Sequence, residues 1–142
     1  MNKIIRALIG GLLIAVFDMV FGGITCGGAF NFIYKLQPYM WKTMCVTVPD
    51  CKLMTMLSLS NFVFGFIFTL VFIWIYKGLP GKNALQKGIY FALIVWIIGN
   101  LQGMVSTYIF SNMLPGVISY MTLTGLIRIL GAGYIASIVY KE

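Results

Sequence analysis

Asp18 and Arg128 are the only ionisable side chains that lie deep inside apolar runs long enough to cross a bilayer, and each stands near the middle of its run. A charge at the bilayer centre costs about 2.5 to 3.5 kcal/mol on insertion scales. The two are therefore expected to face inward and to compensate one another in a salt bridge between the first and fourth spans. Asn100 falls near the centre of the third run, and Asn61 and Gln102 within about a turn of that depth. Asp18, Asn61, Asn100, Gln102 and Arg128 thus form one predicted buried polar layer. Its chemistry is open at this point. The pair either fixes helix register, or serves as a proton or ion relay or as a counter-charge for a bound solute.

Other chemistry is poorly supplied. The chain has no histidine, which excludes bis-histidine haem, histidine-ligated zinc and a nucleophile with a histidine base. Its three cysteines contain no C-x-x-C pattern, so the usual motif of disulfide exchange is missing. Asp18, Asp50 and Glu142 are the only side-chain carboxylates, too few and too scattered for paired-acid catalysis or a carboxylate metal cluster. The expectation is a protein that is not an enzyme and has no metal and no cofactor. Cys45 and Cys51, close together in a polar segment, are predicted to form a disulfide if that segment lies in an oxidising compartment. Two free thiols are the alternative, and Cys26 could replace either partner.

The elements that must position these residues follow from composition. Of 142 residues, 61% are hydrophobic and 9% charged, which leaves too little polar surface for a soluble domain. A hydrocarbon core of roughly 30 Å takes about 20 helical residues to cross, so the chain has room for four spans and little else. The predicted fold is all-α, a single integral membrane domain over 1–142, with helices at about 4–34, 53–76, 84–110 and 116–140. Long, continuously apolar runs exclude a barrel of short alternating strands. Between the first two helices, Lys35 to Lys52 carries Pro38, Pro49 and Asp50 and is expected to lie on the membrane surface as an outer loop. The sequence Lys77-Gly78-Leu79-Pro80-Gly81-Lys82-Asn83 stops the second helix. Ser111-Asn112-Met113-Leu114-Pro115-Gly116 is an uncharged turn before the last.

Lys3 and Arg6 ahead of Ala7 to Phe17 have the look of a signal-peptide start, but the apolar run continues and no Ala-x-Ala site follows. Span one is therefore expected in the mature protein. Lys3, Arg6, Lys77, Lys82, Lys87 and Lys141 fall on one side of the four-span layout, against Lys35, Lys42 and Lys52 on the other. The positive-inside rule then puts both termini in the cytoplasm of a multi-pass cell-membrane protein. The net charge of +7 is explained by orientation and by the lipid bilayer, with no nucleic-acid partner.

Gly23-x-x-x-Gly27 and Gly99-x-x-x-Gly103 place small residues one turn apart, the spacing that lets membrane helices approach closely. Gly131, Gly133, Ala136 and Ser137 give the fourth span a similar smooth face. Tyr39, Trp41, Trp74, Tyr76, Tyr90, Tyr108, Tyr120 and Tyr140 fall mostly near span ends, where an interfacial aromatic belt belongs.

The layout resembles a group of small, functionally uncharacterised four-span membrane proteins. The likeness rests on the basic start Met1-Asn2-Lys3-Ile4-Ile5-Arg6 and a glycine-rich first helix. An aromatic outer segment, Lys87-Gly88, Trp96, Gly103-Met104 and Thr107-Tyr108 of the third span, and a glycine-rich fourth helix ending in Lys141 complete it. That resemblance covers most of the chain and implies a fold, with no site residues. The chain is also similar to the small multidrug transporters in having four spans and one acid in the first, Asp18. It departs from them in using aspartate, in carrying Arg128 and in its long outer loop. The resulting expectation is a structural or accessory membrane protein that associates with itself, as a homo-oligomer, or with a membrane protein partner. The alternative is a small oligomeric transporter or channel that uses the Asp18–Arg128 pair for a proton, ion or solute.

Overall fold

In the computed structural model, residues 2–28 and 51–140 are described, and all their regular structure is helical. The predicted outer loop up to Asp50, the end of span one beyond residue 28, and Cys45 with its predicted disulfide lie outside these residues; Cys51 and Lys52, expected at the end of that loop, already belong to the next helix. Helix α1 (Lys3–Gly22) continues into a wider π-helical stretch, Gly23–Gly28. Helix α2 (Cys51–Ile75) closes in a 3-10 turn, Tyr76–Gly78. The third span consists of α3 (Ala84–Val95), a π-helical stretch Trp96–Leu101, and α4 (Gln102–Phe110). Helix α5 (Pro115–Val139) is the fourth. Four of these helical segments are long and apolar enough to cross a membrane: Lys3–Thr25, Thr55–Gly78, Ala84–Phe110 and Pro115–Val139.

Local chemistry sets the boundaries. The Asn2 side chain accepts a hydrogen bond from the Ile4 N–H at 3.4 Å and caps α1. Between α2 and α3 the chain turns at Gly81, whose φ of +130° suits only glycine. The Lys82 N–H then donates to Gln86 Oε1 at 2.8 Å, a side chain reaching back over the first turn of α3. Pro115 takes the first position of α5, where its missing N–H costs nothing.

Two helix pairs are drawn together by glycine, α1 on α2 and α3 on α5, and α1 also packs along α5. A Cβ placed on Gly11 would lie 2.9 Å from the Phe66 backbone, and one on Gly65 would lie 2.9 Å from the Gly11 carbonyl. Gly10 has equally little room, against Thr69. In the second pair, a Cβ on Gly88 would run into the Gly133 carbonyl, and one on Gly133 into that of Gly88. This corrects the expectation from spacing. Among the described residues nothing stands where a Cβ on Gly23, Gly99 or Gly103 would lie, so these glycines do not bring the described helices together. For Gly27, the structure gives the helical backbone only.

Aromatic rings close the remaining gap between α2, α3 and α5. Phe68 and Phe91 lie 4.7 Å apart between centroids, Phe72 and Phe91 5.6 Å, and Tyr76 and Tyr140 4.7 Å edge to face. Together with Ile14, Ile73, Ala92, Ala132 and Ala136 they form the buried core. Tyr76 and Tyr140, expected in the interfacial belt, are core residues, whereas Trp74, Tyr90 and Tyr108 face outward. The outer surface is apolar, as a lipid-facing surface must be: Leu12, Val20, Ile98 and Phe110 are all exposed.

Candidate functional site

Helices α1, α2 and α5 meet at the polar layer. Asp18 comes from the buried face of α1, four residues beyond Ile14 and eight beyond Gly10, so it continues the stripe that packs against the other helices. Arg128 comes from α5 between Gly125 and Gly131. Phe17 fills the space at Gly131, where a Cβ would collide with its ring, and this contact brings α1 against α5 beside the charges.

The Arg128 Nη2 donates to Asp18 Oδ2 at 2.8 Å and to Asn61 Oδ1 at 2.8 Å. Three helices are thereby tied through one guanidinium nitrogen. The guanidinium also stands 5.7 Å from the Phe64 ring centroid, so a cation–π contact adds to its environment. Burial is uneven: the Asp18 side chain is 1% exposed and that of Arg128 41%. The second Asp18 oxygen, Oδ1, is buried and has no hydrogen-bond partner among the described residues. Such an arrangement neutralises charge, holds register among α1, α2 and α5, and leaves one buried acceptor without a partner among the described residues.

Asn100 and Gln102 do not join this cluster. Asn100 lies against Gly125, where a Cβ would come within 2.6 Å of its Nδ2, one turn before Arg128 on α5. Its Oδ1 is buried without a partner among the described residues. Gln102 is exposed at the start of α4, which corrects its placement in a buried layer. The cause is the π-helical stretch just before it. A π turn takes more residues than an α turn, so the residues that follow are rotated away from the face that α3 presents to α5. Trp96 opens this stretch and donates its indole N–H to the Thr122 carbonyl at 3.3 Å. Sequence reasoning passed over Trp96 as a structural tie because its place in the chain gave no sign of the partner.

Two further groups were not anticipated as a unit. Arg6 sits over the Tyr140 ring at 5.2 Å, and Lys87 Nζ over the Tyr76 ring at 4.3 Å. Near the opposite end, Tyr120 donates its hydroxyl to the Thr25 carbonyl at 2.8 Å and ties α5 to the π-helical end of α1. Among the described residues, no group of three or more cysteine and carboxylate side chains is placed to hold a metal ion. Comparison with protein-family models, curated proteins and solved structures finds no match.

Proposed function

We propose that the protein is a non-enzymatic structural or accessory membrane protein that self-associates through its third span. The observation that carries this reading is Gln102, a primary amide exposed on the outward side of a membrane-spanning helix together with Gly99, Gly103 and Ser106. Facing lipid, that amide has no hydrogen-bonding partner among the described residues, and a neutral amide left unmatched in an apolar medium costs about 1 to 3 kcal/mol. A second copy meets the need: glutamine is both donor and acceptor, so two Gln102 side chains pair across a two-fold axis. Open space at Gly99 and Gly103 lets two such helices come close. The third span is also the least enclosed of the four by its own chain.

With the basic residues Lys3, Arg6, Lys77, Lys82 and Lys87 at the end of the bundle that carries both termini, this reading places that end in the cytoplasm of a cell-membrane protein. Native mass measurement of the full chain in mild detergent tests the self-association. A species of two or more identical chains supports it, and a single chain at every concentration contradicts it.

One observation favours a second reading, a small transporter. Asp18 Oδ1, which has no hydrogen-bond partner among the described residues, stands beside a half-exposed Arg128 and is suited to face a cationic solute. Flux measured in vesicles tests it. Transport abolished by Asp18→Asn or Arg128→Gln supports this reading, and flux equal to that of empty vesicles removes it.

A further inference from the structure

We propose that the end of the bundle carrying both termini is a docking surface for anionic phospholipid headgroups, centred on a row formed by Arg6, Tyr140, Tyr76 and Lys87. The two tyrosine rings pack edge to face at 4.7 Å in the core. Each holds a cation, Arg6 at 5.2 Å and Lys87 at 4.3 Å, so both positive centres are fixed by buried rings. Lys87 Nζ donates one hydrogen bond, to the Tyr76 carbonyl at 3.0 Å, which leaves two of its three donors for an external acceptor. The Arg6 Nε–H is buried and has no partner among the described residues.

No carboxylate of the described residues can serve. Asp18 is the only one among them, and it is held by Arg128, 12 residues or about 18 Å of helix away from Arg6. Lys3, Lys77 and Lys82 are exposed at the same end and add to the positive field. The ligand that fits is an oxyanion, and the surroundings specify its source. Ile4 and Ile5 beside Arg6, and Ile89 and Tyr90 beside Lys87, are exposed apolar side chains on the lipid-facing surface. A molecule with a phosphate head and acyl chains satisfies both parts, whereas free phosphate uses only the first. Polybasic membrane ends gain about fivefold in affinity for anionic lipid per basic residue.

The test is thermal unfolding of the full chain in mild detergent, titrated with phosphatidylglycerol, phosphatidylcholine or inorganic phosphate. Phosphatidylglycerol is expected to raise the midpoint, and the other two to leave it unchanged. Replacing both cations, Arg6→Gln with Lys87→Gln, is expected to weaken phosphatidylglycerol binding about 30-fold, and Lys3→Gln by no more than about fivefold. Equal stabilisation by phosphatidylcholine or by inorganic phosphate, or undiminished binding by the double variant, overturns the proposal. Should the double variant fail to fold, two other measurements decide. Arg6→Lys is expected to keep binding, and wild-type binding is expected to fall several-fold between about 0.1 and about 1 M salt. Binding indifferent to salt overturns the proposal as well.

Discussion

Asp18 and Arg128 are joined at 2.8 Å, yet they are buried unequally: the Asp18 side chain is almost wholly enclosed, while the Arg128 side chain, stem and head together, is 41% exposed. Removing either partner therefore leaves a different remainder. Arg128→Gln strands an anion in the protein interior, and Asp18→Asn strands a cation at the depth of the bilayer centre.

Breaking a buried pair costs about 3 to 5 kcal/mol. Arg128→Gln and Asp18→Asn are each expected to fall within that range, because each leaves the other charge unpaired at the depth of the bilayer centre. Unfolding midpoints in detergent give the two losses. The double replacement is expected to cost less than the sum of the two, and strict additivity would show that the pair contributes no coupling.

Asn61 receives a charge-assisted hydrogen bond from the same Arg128 nitrogen. Asn61→Ala is expected to destabilise by about 1.5 to 3 kcal/mol in the wild type. In an Arg128→Gln background the loss should shrink. An unchanged loss there would mean that Asn61 acts through packing alone.

Gly88 and Gly133 meet backbone to backbone, so even one methyl group forces α3 and α5 apart. Gly133→Ala is expected to lower stability by about 1 to 3 kcal/mol, the usual range for overpacking. Gly103→Ala, with open space around it, is expected to leave the unfolding midpoint of the single chain nearly unchanged. Equal effects at the two positions would refute the assignment of inner and outer glycines.

These contrasts mark how far the sequence can be read. The spans were legible because burial in lipid demands long apolar runs, the second helix stops where Gly78, Pro80 and Gly81 interrupt it, and Pro115 starts the last. The approach of Asp18 to Arg128 was legible because two lone opposite charges at one depth have few other partners. Which glycines look inward was not. Spacing of four residues shows that two glycines share a face, but the neighbour of that face is set by tertiary packing. The contacts that formed, Gly11 with Gly65 and Gly88 with Gly133, pair glycines from different spans. Gln102 was misplaced for a related reason: an even helical register carries it inward, and the π-helical stretch Trp96–Leu101 breaks that register one residue earlier. Tyr76 and Tyr140 stand at span ends as belt residues do, but their rings turn into the core, where they close the gap left between α2 and α5.

Self-association through the third span is most directly tested by energy transfer between donor- and acceptor-labelled copies in lipid vesicles, followed as lipid is added to dilute the protein. The account expects transfer that persists on dilution for the wild type. Gln102→Leu with Gly103→Leu is expected to reduce it to the level of random proximity, because the lost interhelical hydrogen bonds are worth about 0.6 to 2 kcal/mol each and the bulk separates the helices. Transfer that falls with dilution alike in wild type and variant would contradict it.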